Sequence, residues 1–513
     1  MAEERNGSPT DGRRSSPLWY KIFGTFWVAL DPKKLLLAAA GIFAMWLGWF
    51  CLSWLFMEIR HKPQRDEFTA ERFQKTDITP EEAKRRADEA YFIADQRYQF
   101  MSSLAGKDPD GYFRVAPWDE YRGPNPVLMV ARHLRVGGDT TTSREARFFD
   151  WILSPQAKFL VEPLAKLLSP MMCLFSPHAD GWAWVYLILI AVWAAAVWAF
   201  FGGAITRIAV VQLSGQGSVT LMESLRFVAS RYLHYFAAPL VPLLFVAGLT
   251  ILSIILFGLI HLIPWIGELY DIIVWPFTFL IGLAMAFILV GLVGFPLMYP
   301  TISAEGSDAF DALSRAYNYV YQSPWYYAWT SLVAVLYGCL VVFVVVFMGS
   351  LVMYLTKWSV SQTPGTEYFM SRRVDHLYIH APKSFGWREL LVSVPDLKPE
   401  ASKAAHDEYM KENVSTVNPF ASYLIAIWTT LAFMFVIGFG YSYFYTAGTM
   451  LYLLMRRHVD ESELDEVYLE HEEPEEPMMP PAPAPTSTPP GVTMVEPPGL
   501  RQPTAPSSES PPA

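Results

Sequence analysis

Leu213-Ser214-Gly215-Gln216-Gly217-Ser218 and Ile302-Ser303-Ala304-Glu305-Gly306-Ser307 are two short polar turns, each set between long apolar segments. Sliding the first by 89 positions (306 minus 217) also lays Arg226 on Arg315 and Tyr232 on Tyr321, so the likeness runs on into the stretch after each turn. Only 5 of the 20 aligned positions are identical (214, 217, 218, 226 and 232 against their counterparts). The match draws its weight from its place: both copies occupy the same point in the hydropathy pattern, which a chance agreement of letters would not be expected to share. The reading is a duplicated membrane hairpin, a unit of helix, turn, amphipathic helix and helix, in an all-α integral membrane protein.

Composition points the same way. Hydrophobic residues make up 52% of the chain and charged residues 17%, with a mean hydropathy of +0.23. The apolar residues are gathered into runs long enough to cross a bilayer. Six such runs stand out: 35–57, 182–201, 236–260, 272–298, 326–355 and 420–455. The first follows Lys33 and Lys34, is too long for a signal-peptide core and has no small-residue cleavage pattern after it, so it reads as a retained span. The last would be roughly 54 Å long as one helix, against a hydrocarbon core of about 30 Å, so it either projects beyond the bilayer or bends near Gly438 and Gly440.

The formal charge of −10 belongs to one end of the chain. Residues 459–513 hold twelve Asp and Glu against Arg501, which is −11 and leaves about +1 for the rest. Nothing in that balance suggests nucleic acid as a partner. Cys51, Cys173 and Cys339 lie in apolar surroundings without metal-ligand spacing and read as small core hydrophobes.

The segments between the spans divide the chain further. Residues 1–34 are a polar start followed by an interfacial helix carrying Leu18, Trp19, Ile22, Phe23, Phe26 and Trp27 on one face. Within 58–181, Thr79-Pro80-Glu81-Glu82 starts a helix expected to run to about Leu104 and stop at Gly106. Residues 151–175 mix apolar positions with Lys158, Glu162 and Lys166, and read as an amphipathic helix on the membrane surface, kinked at Pro163. Residues 182–355 are the duplicated membrane domain and 356–418 a polar insert; the last span occupies 419–457. Residues 458–513 are an acidic, proline-rich tail expected to be disordered.

Lys and Arg near the span ends set the orientation. Arg13, Arg14, Lys21, Lys33 and Lys34 precede the first span, Arg207, Arg226 and Arg231 fall between the second and third, and Arg456 and Arg457 close the last. Both termini and both repeated turns are therefore expected in the cytoplasm, with 58–181 and 356–418 outside. Arg60, Lys62 and Arg65, and Lys357, Arg372 and Arg373, run against this rule but sit in long segments that translocate despite charge. The same pattern predicts a multi-pass protein of the inner membrane, if the chain is bacterial.

In the first copy Thr220 and Glu223 can form a capping box, and Leu221, Val228 and Tyr232 share a face; in the second, Ser307 and Asp308 start a helix on which Phe310, Tyr317 and Tyr321 do the same. The residues singled out are Gly217, Ser218, Gly306 and Ser307 at the turns, and Arg226 and Arg315, placed to reach lipid phosphates or an acidic neighbour. The plainer reading is that each arginine only anchors an interfacial helix.

The stretch from Ile302 to Tyr317, with Pro324 and Trp325 after it, resembles the cytoplasmic turn of the membrane domain that precedes some bacterial glycerophosphodiester phosphodiesterases, and related uncharacterised polytopic families. The likeness covers roughly 182–355, and the first copy departs from it at Gln216, where Glu305 stands in the second. That family's catalytic barrel has no counterpart in this sequence. The resemblance therefore implies a membrane architecture and carries over no activity.

No phosphate-binding glycine loop, nucleophile elbow or His-Glu-x-x-His motif is present. His376 and His380 would be roughly 13 Å apart if 374–380 is a strand, too far to share an ion. Trp118 to Arg122 read as a solvated turn, and His261, Glu268 and Asp271 as connection residues. No catalytic, cofactor-binding or metal residue is assigned, and no cofactor is expected. A transporter of charged species would need ionisable groups in its spans, which the six runs lack, though transport of a neutral or lipidic substrate survives that objection. An enzyme would need convergent acid and base groups. A scaffold or membrane-organising protein requires neither, and is the function the sequence favours, with membrane lipids, and a protein partner through the tail, as its contacts.

Overall fold

The computed structural model describes residues 18–74, 78–107, 111–135, 154–263, 265–363, 377–392 and 419–469. Every regular element among them is helical, and six helices are long and apolar enough to cross a membrane. The chain enters through α1 (Thr25–Ala29) into α2 (Pro32–Glu58), whose start is fixed by Asp31 accepting from the Lys33 amide at 2.9 Å, with Pro32 in the first turn. After α2 come α3 (Pro80–Ala105), α4 (Pro126–Arg135), α5 (154–160) and α6 (Glu162–Leu174). Thr79 caps α3 by accepting from the Glu82 amide, and the helix ends before Gly106, as its sequence predicts.

The duplicated unit appears twice in the same order. The first copy is α7 (Gly181–Leu213), a turn, α8 (Leu221–Ser230) and α9 (Tyr232–Ser253), which continues through a wide turn to Gly258. The second is α11 (Phe295–Glu305), a turn, α12 (Ala309–Gln322) and α13 (Pro324–Ser361). Thr220 and Glu223 form the expected capping box, and Asp308 caps α12 by accepting from the Asp311 amide at 2.8 Å. The turns differ in length: 214–220 in the first copy against 306–308 in the second.

The fourth span is broken. Its outer part, α10 (Ile266–Gly291), meets α11 through a tight turn at Leu292–Gly294, where Pro296 withholds an amide hydrogen. The Ile288 carbonyl still accepts from the Leu292 amide and the Leu292 carbonyl from the Phe295 amide, and tyrosine hydroxyls add further bonds around the break. Tyr317 donates to the Ile288 carbonyl at 2.7 Å, Tyr327 to that of Val293 at 2.8 Å, and Tyr321 to that of Phe287. Two of these tyrosines come from α12, so the amphipathic helix of the second copy holds the break together.

After the short α14 (Trp387–Leu391), α15 (Pro419–Val459) is one continuous helix of 41 residues, about 61 Å long at 1.5 Å per residue. It is not interrupted at Gly438 or Gly440. Those glycines serve close packing instead: a Cβ on Gly438 would lie 3.0 Å from the Leu35 carbonyl oxygen, and one on Gly440 would lie 2.3 Å from the Phe159 ring. Of the N-terminal aromatics, Trp19 meets Trp329 and Phe23 meets Tyr337 on α13, and Phe26 meets Phe439 on α15, while Phe23 and Trp27 stay exposed.

α2 and α7 run antiparallel, and their contacts form a ladder along the bundle. Lys34 donates to Gln212 at 2.9 Å, Trp198 to the Met45 sulfur at 3.1 Å, Trp49 to the Ile190 carbonyl at 3.1 Å, Ser53 meets Tyr186 at 2.8 Å, and Arg60 pairs with Asp180 at 2.7 Å. The ladder defines two ends: a turn end at Gln212 with both repeated turns, and an opposite end at the Arg60–Asp180 pair. Trp198 stands 17 residues from the start of α7 (198 minus 181) and 15 from its end (213 minus 198), about 26 and 22 Å along the axis. It marks the middle of the bundle.

Candidate functional site

Two polar clusters stand out, one at mid-height and one at the turn end. The first is assembled by pieces that do not themselves cross the bundle. Pro163 cannot donate to the preceding turn, so the chain breaks at Val161 between α5 and α6, close to where the sequence places the kink. The break drives Phe159 toward Gly440 and Leu160 toward Gly338, which carry no side chains to block them. Glu162 thereby reaches Tyr441, whose hydroxyl donates to it at 2.9 Å and whose ring stacks on Trp198 at 4.8 Å. Because Trp198 marks mid-height, Glu162 sits near the middle of the bundle.

Two cations meet it there. Arg122 donates to Glu162 from Nε at 2.8 Å and from Nη2 at 2.7 Å, and Lys166 lies 2.6 Å from the same carboxylate. Glu120 takes a second Arg122 contact at 2.6 Å and a second Lys166 contact at 2.8 Å. Arg122 also donates to the Pro117 carbonyl at 2.5 Å and to the Ser384 hydroxyl at 3.1 Å. Two positive and two negative groups balance, and all five guanidinium hydrogens have acceptors.

Burial alone would raise the Glu162 pKa, but Arg122 and then Lys166 override it and hold the carboxyl well below the usual carboxylate range. Burial likewise works to lower Arg122 and Lys166, and Glu120 and then Glu162 more than offset it, so both are raised. Arg122, Glu162 and Lys166 are thus held charged at neutral pH. These positions correct two expectations. Glu162 and Lys166 face the protein interior rather than water at the membrane surface, and Arg122 is buried rather than part of a solvated turn. The signal was the four-residue spacing of Glu162 and Lys166 on one helix face; their partner at position 122 is separated by 40 residues and leaves no local trace.

The second cluster surrounds the repeated turns. Gly306 caps α11 in the left-handed conformation (φ 67°), and its amide donates to the Ile302 carbonyl. Gly215 and Gly217 are also left-handed, with φ of 78° and 107°. Ser303 joins Thr206 at 2.9 Å and Tyr235 at 2.7 Å, and its carbonyl accepts from Arg207 at 2.7 Å. Glu305 accepts from Arg315 at 2.9 Å and from Tyr452 at 2.5 Å, with Arg456 at 3.8 Å.

The two matched arginines differ in what they meet. Arg315 is turned back on Glu305 and on Asp311, one helical turn before it, and those carboxylates hold its pKa up against the effect of burial. Arg226 and Ser218 are exposed, and the Ser307 hydroxyl is buried. Arg207 and Arg231, which the motif comparison did not single out, both stack on Phe227, at 4.0 and 4.7 Å from its ring centre.

Residues 460–468, expected to begin the disordered tail, lie on this cluster. Tyr468 donates its amide to the Ala304 carbonyl at 2.7 Å and accepts from Arg207 at 2.8 Å, while its ring lies under Arg231 at 5.2 Å. Gln216 donates to the Asp465 carbonyl at 2.8 Å and Arg456 to that of Glu466 at 2.6 Å. The Gln216-for-Glu305 difference between the copies is thereby explained: Glu305 gathers cations within the body, and Gln216 donates to the segment laid over it. Leu464 and Val467, the apolar positions of this acidic stretch, pack against the core and were the sequence signal for docking.

No family model, curated protein or solved structure matches the chain. The resemblance at 302–317 thus stands on its quoted residues alone. His261 pairs with Asp271 where the third and fourth spans meet. His380 stacks on Tyr423 in a non-strand segment, and His376 lies outside the described residues. Among the described residues no group of three or more His, Cys, Asp or Glu is placed to hold a metal ion.

Proposed function

We propose that this chain is a non-enzymatic membrane scaffold: a sealed helical body that carries an external layer on one side and its duplicated turns on the cytoplasmic side. The observation that carries this reading is the closed quartet of Glu120, Arg122, Glu162 and Lys166. Ionisable groups at membrane depth usually mark a transport or relay path. Here they balance one another, and together with Tyr441 and Ser384 they join the 117–122 loop, α6, the 384–386 turn and α15. A group of this kind fastens the external layer to the spans. The exposed apolar arm formed by α9 and α10 supplies lateral surface of the sort an organising protein needs.

Transport is the second reading, favoured by the depth of the quartet. Purified protein in liposomes separates the two. The scaffold reading expects no dissipation of an imposed pH or sodium gradient by the unaltered chain. A flux in the unaltered protein that Glu162→Gln abolishes, with the variant still folded, would replace the scaffold by a transporter.

A further inference from the structure

We infer that the groove between the two repeated turns is a recognition site for a short peptide with an acidic residue two positions before an aromatic one, occupied here in cis by residues 460–468, which turn at Leu464 and Asp465 with the Val467 amide donating to the Asp465 carbonyl at 2.9 Å. This goes beyond the scaffold reading and does not depend on it.

The groove reads the segment chiefly through its backbone. Carbonyls at Asp465, Glu466 and Tyr468 accept from Gln216, Arg456 and Arg207, and the Tyr468 amide donates to Ala304. Three donating side chains and one carbonyl, from four different elements, thus converge on four consecutive residues. Main-chain bonding of this kind supplies affinity for a peptide ligand, and side-chain contacts supply selectivity.

Two side-chain contacts are evident. The Tyr468 ring is seated under Arg231, whose Nε also donates to the Gly306 carbonyl at 3.3 Å, so the cation is held in place by the second turn. The Glu466 carboxylate lies 3.5 Å from Arg456. Farther back, Asp460 accepts from the Tyr319 hydroxyl. The occupant is nevertheless not buried like a core strand: the Glu466 side chain is 60% exposed and Tyr468 is 42% exposed. A segment with so much exposed side-chain surface, tethered at one end to α15, can leave and be replaced by a second segment of the same chemistry.

Tethering makes the test quantitative, because a flexible link gives the cis segment an effective concentration of millimolar order. The probe is a fluorescent peptide of residues 460–469, titrated onto the full-length chain in detergent and onto a full-length variant whose residues 461–469 are scrambled. The peptide should bind the scrambled chain at least ten times more tightly than the unaltered one. Tyr468→Ala in the peptide, or Gln216→Ala in the scrambled chain, should each weaken binding at least fivefold. Equal binding to both chains, no binding to a scrambled chain that remains folded, or indifference to Tyr468→Ala would overturn the proposal.

Should the scrambled chain fail to fold, the unaltered sequence decides. A photo-crosslinking residue at position 468 should attach to the 227–231 region, and excess peptide should suppress that crosslink. Crosslinking undiminished by millimolar peptide would also overturn it.

Discussion

Glu162→Gln removes one charge from the mid-height quartet with almost no change in volume. Arg122 then loses the partner of its Nε and of one Nη2 hydrogen, which lie 2.8 and 2.7 Å from Glu162, and Lys166 loses a contact of 2.6 Å. Glu120 alone must answer both cations, so a net positive charge is left around the buried Arg122 and Lys166 side chains. Breaking a buried pair by removing one partner typically costs about 3–5 kcal/mol. The amide recovers some of this by accepting one hydrogen bond through its carbonyl, so about 3 kcal/mol is expected. Denaturant or thermal unfolding in detergent measures the loss, with Glu89→Gln as control. Glu89 faces Arg85 across 3.6 Å on the exposed face of α3, at 63% and 71% side-chain exposure, and an exposed pair contributes no more than about 0.5 kcal/mol. Adding Lys166→Met to Glu162→Gln restores neutrality, so the double variant should lose less than the sum of the two single losses. A Glu162→Gln loss below about 1 kcal/mol, or strict additivity in the double variant, would refute the closed quartet.

Acid should act through the same group. With the Glu162 carboxyl held low by Arg122 and Lys166, its contribution is complete above about pH 4.5 and is lost as pH falls toward its folded value. The raised Lys166 behaves conversely: its contribution is complete below about pH 10 and is lost above, so unfolding across pH should show a plateau bounded on both sides. At the turns, Gly306→Ala and Gly217→Ala each place a side chain at positive φ, at a cost of about 1–2 kcal/mol. Only at Gly306 would the new Cβ also press on Arg231, at 2.9 Å, so only that variant should increase protease cleavage within 460–468. Truncation after residue 469 should leave the melting temperature unchanged, whereas truncation after 459 should lower stability by about 2–4 kcal/mol, through loss of the bonds from Arg207, Gln216 and Arg456.

The six spans, the doubled unit and its caps were legible because each depends on short-range signals: apolar runs, Thr220 three residues before Glu223, Asp308 three before Asp311. The helix break at Pro163 was legible for the same reason. What escaped were pairings between distant segments. Glu162 and Lys166 read as surface charges because their counter-charges come from Glu120 and Arg122, and Tyr441 looked like one more aromatic in an apolar run. Residues 460–468 read as the start of a solvated tail because acidity outweighs Leu464 and Val467 in any local count. Their anchors, Gln216 and Arg207, lie roughly 250 residues earlier in sequence.

The depth of the quartet is the claim on which most depends, and spin labelling in lipid bilayers measures it directly. Val161, at the break between α5 and α6, is 38% exposed, and Phe175, just after α6, is 76% exposed, so each accepts a label without disturbing the core. A label at 161 should lie near the bilayer centre, relaxed by oxygen and shielded from a water-soluble nickel chelate, while a label at 175 should show the reverse. A label at 161 as accessible to the chelate as one at 175 would place the quartet outside the membrane and contradict the sealed body proposed for this chain.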